Sequence, residues 1–412
     1  MKNFLRFIVL LVIYVGVFQS LKAQYVTIPD SNFRNYLLTS NYSGCFNSDK
    51  QLDTICAAMP MECCMSVNNL NISDLTGVKY FTVAELYCDY NNLTSLPPLP
   101  PMLRYLDCSF NQLPGLNKLP DSLTILVCSG NLLGSLPDLP SSLVTILCEL
   151  NQLTELPKLP DSLAFLDCGQ NSITKLPTLP PTLIELYCQY NSITNLPEQL
   201  PPSLTTLRCS NNQLSVLPPL PGTLWNLFCD YNSLTTLPEL PASLTYLNCD
   251  GNKLIGLPAL PASLQQLYCY VNEIYCLPQL DSNLNTLWAT GNHIACIPNI
   301  PTNLIGGMDS SYQVCDSSNN SNNCTPNYTV TTSEAPVTKL FPNPTDGLVN
   351  ILSNVFTNAD LRIITANGKI IYTINGADFS SATINLSGLP PSLYVVQITS
   401  GQGVFTQKLV LE

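Results

Sequence analysis

Eighteen cysteines and one histidine bound the chemistry open to this chain. Thiolates act as nucleophiles, hold metals and pair into disulfides, so cysteine spacing decides which of these is in play. Ten of the eighteen form a ladder: Cys88, Cys108, Cys128, Cys148, Cys168, Cys188, Cys209, Cys229, Cys249 and Cys269. Each step is 20 residues except one of 21, where Glu198-Gln199 stands in place of a single residue. An asparagine follows three positions after each cysteine, from Asn91 to Asn272, and an eleventh turn keeps Asn292 with Ala289 at the cysteine position. A zinc site needs about four converging ligands, and no other ligand type converges on this ladder. The ladder therefore reads as packing, each thiol acting as a small hydrophobe with its thiolate suppressed. Neighbouring turns bring the cysteines within ~5 Å, inside the bridging range, but their parallel Cβ vectors strain the disulfide torsion.

The other cysteines break the rhythm. Cys276 and Cys296 share a place in adjacent turns that Ser95, Gly115, Ser135, Glu155, Lys175 and Asn195 occupy elsewhere, so both are expected at the surface and bridged in an exported protein. Cys315 and Cys324 are expected to staple the end of the repeat region. Cys45, Cys56, Cys63 and Cys64 lie ahead of it, where two bridges can form and the pairing stays open. The lone His293 lies near Cys276 and Cys296 without a fourth zinc ligand, so it reads as an exposed edge residue. A hydrolase would need that histidine beside a nucleophile in a pocket, which a regular solenoid does not supply. Carboxylates such as Asp89 and Asp107 read as solvated charges. No enzyme activity is expected, and nothing calls for a cofactor or a metal.

The period itself specifies the elements that hold these residues. One turn reads Leu163-Ala-Phe-Leu-Asp-Cys-Gly-Gln-Asn-Ser-Ile-Thr-Lys-Leu-Pro-Thr-Leu-Pro-Pro-Thr182. Counting Leu163 as position 1, leucines at 1 and 4 and the cysteine at 6 point inward around a short strand, while 3, 5 and 7 point out. The asparagine marks where the chain turns away and bonds backbone that no ladder reaches. The paired prolines forbid a helix on the return path and favour extended or polyproline II backbone. Parallel strands at ~4.8 Å make eleven turns a rod of roughly 50 Å, capped at both ends.

This pattern resembles the leucine-rich repeat, and its Leu-Pro-x-Leu-Pro tail the short bacterial LPX subclass found also in secreted effectors. The resemblance runs over residues 83–303. Some LPX effectors carry a ubiquitin-ligase domain with a catalytic cysteine, but no cysteine follows Cys324. Ahead of the repeats, Asp30 can cap a short helix presenting Phe33 and Leu37, and residues 71–78 form one atypical turn, so 24–82 is an N-terminal cap. Residues 304–338 read as end cap and Ser/Asn-rich linker. In 339–412 short β-rich runs at 348–352, 361–364, 369–374, 383–386, 394–398 and 404–411 suggest a small β-sandwich. There Phe341-Pro-Asn-Pro-Thr-Asp-Gly347, Asn367-Gly-Lys-Ile-Ile371, Leu386-Ser-Gly-Leu389 with Tyr394, and Gln407-Lys-Leu-Val-Leu411 resemble the type IX secretion sorting domain. Its usual glycine before the tyrosine is replaced by Pro391-Ser-Leu393. That resemblance implies contact with the export machinery, passage across a Gram-negative outer membrane and, commonly, attachment to the cell surface. The fold class is thus mainly β: a leucine-rich-repeat solenoid followed by a small sandwich.

Composition agrees with export. Lys2 and Arg6, an apolar run from residue 7 to 18 and Leu21-Lys22-Ala23 form a signal-peptide layout over 1–23, and the apolar run is too short to span a bilayer. No other segment is long and apolar enough, so the mature chain is expected to have no transmembrane segment. The net charge of −12 argues against nucleic acid or an anionic membrane as partner. Only 11% of residues are charged, so solvation falls to Ser, Thr, Asn and backbone.

Aromatic placement points to binding. Of fifteen aromatics among residues 83–303, only Tyr275 lies off the outward strand side. The expected ligand face joins Tyr87, Tyr105, Asp107, Phe165, Asp167, Tyr187, Arg208, Trp225, Phe228, Tyr246, Tyr268 and Trp288. Acids there outnumber the basic residues Arg104 and Arg208. Such a face suits an extracellular protein or a glycan, in adhesion for example. A spacer or coat component without specific ligand is the alternative, and a hydrolase a remote third. Thiol counting in denaturant checks the cysteine reading: ten free thiols are expected from the ladder, and a count near zero would contradict it.

Overall fold

The computed structural model describes residues 24–60, 62–294, 296–297, 301, 304, 313–314, 338–341, 348–353, 359–365, 369–377, 381–400 and 403–411. The leader at 1–23 and Cys315 and Cys324 lie outside the described residues. The chain forms two compact units, residues 1–326 and 327–412.

The first unit opens with β1 (Tyr25–Thr27) paired antiparallel to β2 (Gln51–Asp53). Between them runs a helix, Ser31–Thr39, whose start follows the sequence reading: Asp30 Oδ1 accepts from the amides of Asn32 and Phe33, both at 2.9 Å. Its other oxygen accepts from the amide and hydroxyl of Ser73, tying the helix to the first turn of the solenoid. Phe33 and Leu37 are buried as expected, with Tyr42 packed edge-on against Phe81. Of the two bridges open in this cap one is made, Cys45–Cys56, leaving Cys63 and Cys64 as free thiols.

Twelve parallel strands then stack in sequence order: β3 (Cys64–Ser66), β4 (Glu85–Tyr87), β5 (Tyr105–Asp107), β6 (Ile125–Val127), β7 (Thr145–Leu147), β8 (Phe165–Asp167), β9 (Glu185–Tyr187), β10 (Thr206–Arg208), β11 (Asn226–Phe228), β12 (Tyr246–Asn248), β13 (Gln266–Tyr268) and β14 (Thr286–Trp288). Each contributes three residues, so a strand pair alone would be marginal, and the core must hold the stack. That core is columnar: the position 1 and 4 leucines, the ten ladder cysteines and Ala289 are almost wholly buried. The longer turn does not disturb it. Glu185, Leu186 and Tyr187 pair in register with Thr206, Leu207 and Arg208, because the added residue is absorbed in a bend at Glu198-Gln199 on the return path.

Two hydrogen-bond columns flank the strands. On the exit side each asparagine bridges its own turn to the one before. Asn131 Oδ1 accepts from the Leu113 amide at 3.0 Å, while its Nδ2 donates to the Cys108 and Cys128 carbonyls at 3.0 and 3.1 Å. The same pattern recurs to Asn292, which reaches Ile274, Cys269 and Ala289. On the entry side a hydroxyl does the joining: Ser122, Ser142, Ser162, Thr182, Thr223, Ser243 and Ser263 each donate to a leucine carbonyl of the preceding turn. The sequence reading had given this serine column no role.

The residue ahead of each asparagine is left-handed. Tyr90, Phe110, Gly130, Leu150, Gln170, Tyr190, Asn211, Tyr231, Gly251, Val271 and Gly291 all have φ between 49° and 70°. Side chains there cost of order 1 kcal/mol each, held because the asparagine bonds over-determine the turn. Glycine at 251 also admits the Tyr231 ring, which lies 2.8 Å from where a Cβ would stand.

Past the repeats, β15 (Cys296–Ile297) pairs with β16 (Gln313–Val314). Cys276 is half-buried and disulfide-bonded, while the side chain of Cys296, its expected partner, lies outside the described ones.

The second unit is an antiparallel sandwich. One sheet joins β17 (Thr338–Phe341), β18 (Leu348–Ser353) and β21 (Ser381–Asn385); the other joins β20 (Ile370–Ala377), β19 (Ala359–Thr365), β22 (Ser392–Ser400) and β23 (Gly403–Leu411). Val349 and Ile384 of one share a core with Leu361, Ile363, Val396, Ile398 and Leu409 of the other. The strand β17 is additional to the runs read from sequence, because Pro342 and Pro344 directly after it look like loop. Tyr394 is buried, its hydroxyl donating to the Pro390 carbonyl at 2.7 Å, a side-chain tether across the turn that lacks the usual glycine.

The asparagine seam makes the first test. Asn131→Ala strands the Leu113 amide, at ~1–3 kcal/mol, and takes one of two asparagine donors from each of the Cys108 and Cys128 carbonyls, which keep Asn111 and Asn151, so stability should fall by about 2–4 kcal/mol. Asn195→Ala, at an exposed position on the return path, should cost no more than about 0.5 kcal/mol. Urea unfolding midpoints of the two variants check this.

Candidate functional site

The strand positions 3 and 5 form two columns on the outer face, aligned by the parallel register. Across β8 to β13 their side chains touch in an unbroken zigzag. The Phe165 ring lies edge-on to Tyr187 with centroids 5.1 Å apart. The Arg208 guanidinium then sits between two rings, 4.8 Å from the Tyr187 centroid and 4.3 Å from that of Phe228. Phe228 meets Tyr246 at 4.5 Å, and Tyr246 meets Tyr268 at 5.4 Å. A guanidinium is planar and weakly hydrated, so it stacks on rings where an ammonium would not. The Arg208 Nε is buried without a hydrogen-bond partner, as is the Oε1 of Gln189. Among the described residues the one ion pair is the exposed Lys118–Asp121 contact, so no carboxylate closes on Arg208 within 4.0 Å.

A second aromatic pair, Tyr87–Tyr105 at 4.8 Å, lies at the other end of the face. Between the two patches Ile125, Val127, Thr145 and Leu147 make the face aliphatic. Trp225 precedes β11, is 57% exposed and stands outside the zigzag; Trp288, on the last strand, is exposed as well. Asp107 caps Ser109, accepting from its amide and hydroxyl at 3.0 and 2.6 Å. The exposed Tyr90 and Phe110, at left-handed positions one turn apart, stack at 4.5 Å with planes 10° apart.

Position 7 corrects the sequence reading. It was expected to point out, yet Ser109, Ser129, Ser210, Asp230 and Asp250 are buried there. The chain leaves the strand at this point, so the side chain tucks between turns, Ser109 bonding Asp107 of its own turn and Ser210 and Asp250 bonding the next. Ser210 donates to Asp230, and Asp250, only 1% exposed, accepts from the Tyr270 amide at 2.8 Å. The acids of this face are therefore not all solvated charges. Burial pushes the Asp250 carboxyl up to about 7, and burial with the Glu149 charge pushes Asp167 up to about 6. Asp230 is raised by burial, and Asp89 by burial and the Asp107 charge.

The ladder thiols face the other way. Cys148 donates its S–H to the Asp167 carbonyl at 3.3 Å, and Cys108, Cys209, Cys229 and Cys249 donate likewise to the turn after them. Burial pushes the Cys128 thiol up to about 12, which disarms it as nucleophile or ligand. Among the described residues no group of three or more His, Cys, Asp or Glu is placed to hold a metal. His293 is exposed and lies against the Tyr275 ring. An open groove of about 1220 Å³ occurs on the return path between Lys158 and Gln199, on the proline side and away from the rings.

YopM from Yersinia enterocolitica has a similar structure, 32% identical, with 69% of each chain covered and a TM-score of 0.54. YopM from Yersinia pestis, described as a leucine-rich effector protein, is 34% identical over 61% of this chain and 83% of its own, with a TM-score of 0.49. The leucine-rich-repeat domain of a Shigella effector is 33% identical over 37% and 71%, with a TM-score of 0.35. A leucine-rich-repeat family model also matches residues 203–227. The chain belongs to the leucine-rich-repeat family. Its residues 339–412 match the secretion system C-terminal sorting domain, which marks this leucine-rich-repeat protein for type IX export across the outer membrane. No curated protein matches it. Among the described residues no helix is long and apolar enough to cross a membrane.

The raised carboxyls give this leucine-rich-repeat protein a pH signature. The folded chain keeps protons on Asp250 and Asp167 that the unfolded chain releases above about pH 4, so stability falls as pH rises through 6 to 7. The unfolding midpoint should therefore drop between about pH 5 and pH 8, and Asp250→Asn, which keeps an acceptor for the Tyr270 amide, should flatten the drop. Thermal melts across that range are the check.

Proposed function

We propose that the outer strand face binds an extended extracellular ligand, a protein or a glycan, and that the protein works by this binding and not by catalysis. The observation that supports the reading is the unbroken contact run Phe165–Tyr187–Arg208–Phe228–Tyr246–Tyr268 over six consecutive strands. Rings fixed at strand spacing offer flat apolar area at low entropic cost, suited to sugar faces or to side chains of an extended peptide. Held between two rings, the Arg208 fork adds a directional donor for an acceptor on the ligand. Glu185, half-buried beside the run, can accept hydroxyl or amide donors. Tyr87, Tyr105 and Asp107 extend the surface at one end and Trp288 at the other, with Trp225 on its border.

In this reading the parts divide the labour. Residues 1–23 direct the chain out of the cytoplasm, 24–82 cap the solenoid, 83–303 bind, 304–338 link, and 339–412 engage the export machinery and lead to the cell surface.

The test uses the exported chain on arrays of glycans and extracellular proteins. For a ligand so found, Arg208→Ala and the combined Phe228→Ala, Tyr268→Ala variant should each weaken binding at least ~10-fold. Trp225→Ala alone should weaken it less. Binding unchanged in all three would favour a spacer without specific ligand.

A further inference from the structure

Two free thiols stand outside the ladder. Cys63 is exposed and Cys64 half-buried, and their sulfurs lie 2.6 Å apart. Successive residues of a strand send side chains to opposite faces. Here the strand begins only at Cys64, and the Cys63 carbonyl accepts from the amides of both Ala84 and Glu85, at 2.8 and 3.2 Å. That junction leaves both sulfurs on one side, within ~0.6 Å of S–S bonding distance. A carboxylate completes the cluster: Glu85 Oε2 lies 3.3 Å from Cys64 Sγ and also accepts from the Tyr87 hydroxyl at 2.8 Å.

We propose that Cys63 and Cys64 are an oxidation site, closing into a disulfide between adjacent residues after export, with a low-molecular-weight or protein disulfide as oxidant. The Cys63 thiolate attacks one sulfur of the external disulfide, forming a mixed disulfide and expelling one thiolate. The Cys64 sulfur then attacks the Cys63 sulfur as its proton passes to Glu85, and the second thiolate leaves. Both leaving thiolates end as thiols, so two protein thiols are oxidised and one external disulfide is reduced. Glu85 matters because Cys64 holds its proton tightly: its hydrogen bond with Cys63, burial and the Glu85 charge push it up to about 12. A base in contact removes that proton as the new bond forms. The ladder thiols, fully buried, cannot meet the oxidant. The same cap already carries the Cys45–Cys56 bridge.

The full exported chain, collected from aerobic medium without reductant, is treated with N-ethylmaleimide under native conditions, digested and analysed by mass spectrometry. The peptide holding Cys63 and Cys64 is expected unlabelled and lighter by two hydrogens; the doubly labelled peptide overturns the proposal. In a second arm the chain is reduced and exposed to oxidised glutathione. Cys64→Ser should stop with glutathione on Cys63, and Glu85→Gln should pass through that adduct several-fold more slowly than the unaltered chain. A Cys64→Ser chain that takes up no glutathione, or a Glu85→Gln chain that closes at the unaltered rate, overturns the assigned roles.

Discussion

At the exit of every turn the chain leaves its strand with carbonyls pointing into a space that no neighbouring strand fills. An asparagine amide is short enough to lie in that space and carries both a donor and an acceptor group. From Asn91 to Asn292 it binds the cysteine-position carbonyl of its own turn, and beyond the first turn that of the turn before as well, while accepting an amide from the preceding return path. The period follows from this seam. A turn can lengthen on the proline side, as at Glu198-Gln199, but the segment from first leucine to asparagine keeps one length throughout. The left-handed residue before each asparagine is a cost of the same geometry.

The outer face inherits its order from the seam. Because the register is kept across the long turn, Arg208 falls between Tyr187 and Phe228 instead of one place to the side. The inner side inherits it too. A residue at position 6 must fit beside leucines and meet its copies one rung away, and cysteine is small, apolar and able to donate weakly to the next carbonyl. The thiols are thus core material, and their regular spacing reports the seam and not a chemical function.

The columns that repeat one residue type were legible in the sequence: leucine, cysteine, asparagine and the prolines fixed the strands, their order and the inward side. Asp30 as helix cap was legible because its side chain, helix start and buried face coincide within eight residues. The left-handed column was hidden because tyrosine occupies it as often as glycine and five other residue types share it, so only Gly130, Gly251 and Gly291 hinted at it. The buried position 7 was hidden for the opposite reason. Serine and aspartate look solvent-facing, and their burial depends on partners a whole turn away, such as Asp230 for Ser210 and the Tyr270 amide for Asp250. The aromatic surface was visible as a list, whereas the Arg208 sandwich required knowing that the added residue falls on the return path. In the sandwich unit, Pro342 and Pro344 masked the strand before them.

In the proposed function the ladder presents its ring-lined strand face to a ligand. Hydroxyl-radical footprinting of the exported chain, free and bound to a ligand found on the glycan and protein arrays, reads that face side chain by side chain. Protection should centre on Tyr187, Phe228, Tyr246 and Tyr268, with the leucines and prolines of the return path unchanged. Protection confined to the return path, with those four rings labelled equally in both states, would contradict it.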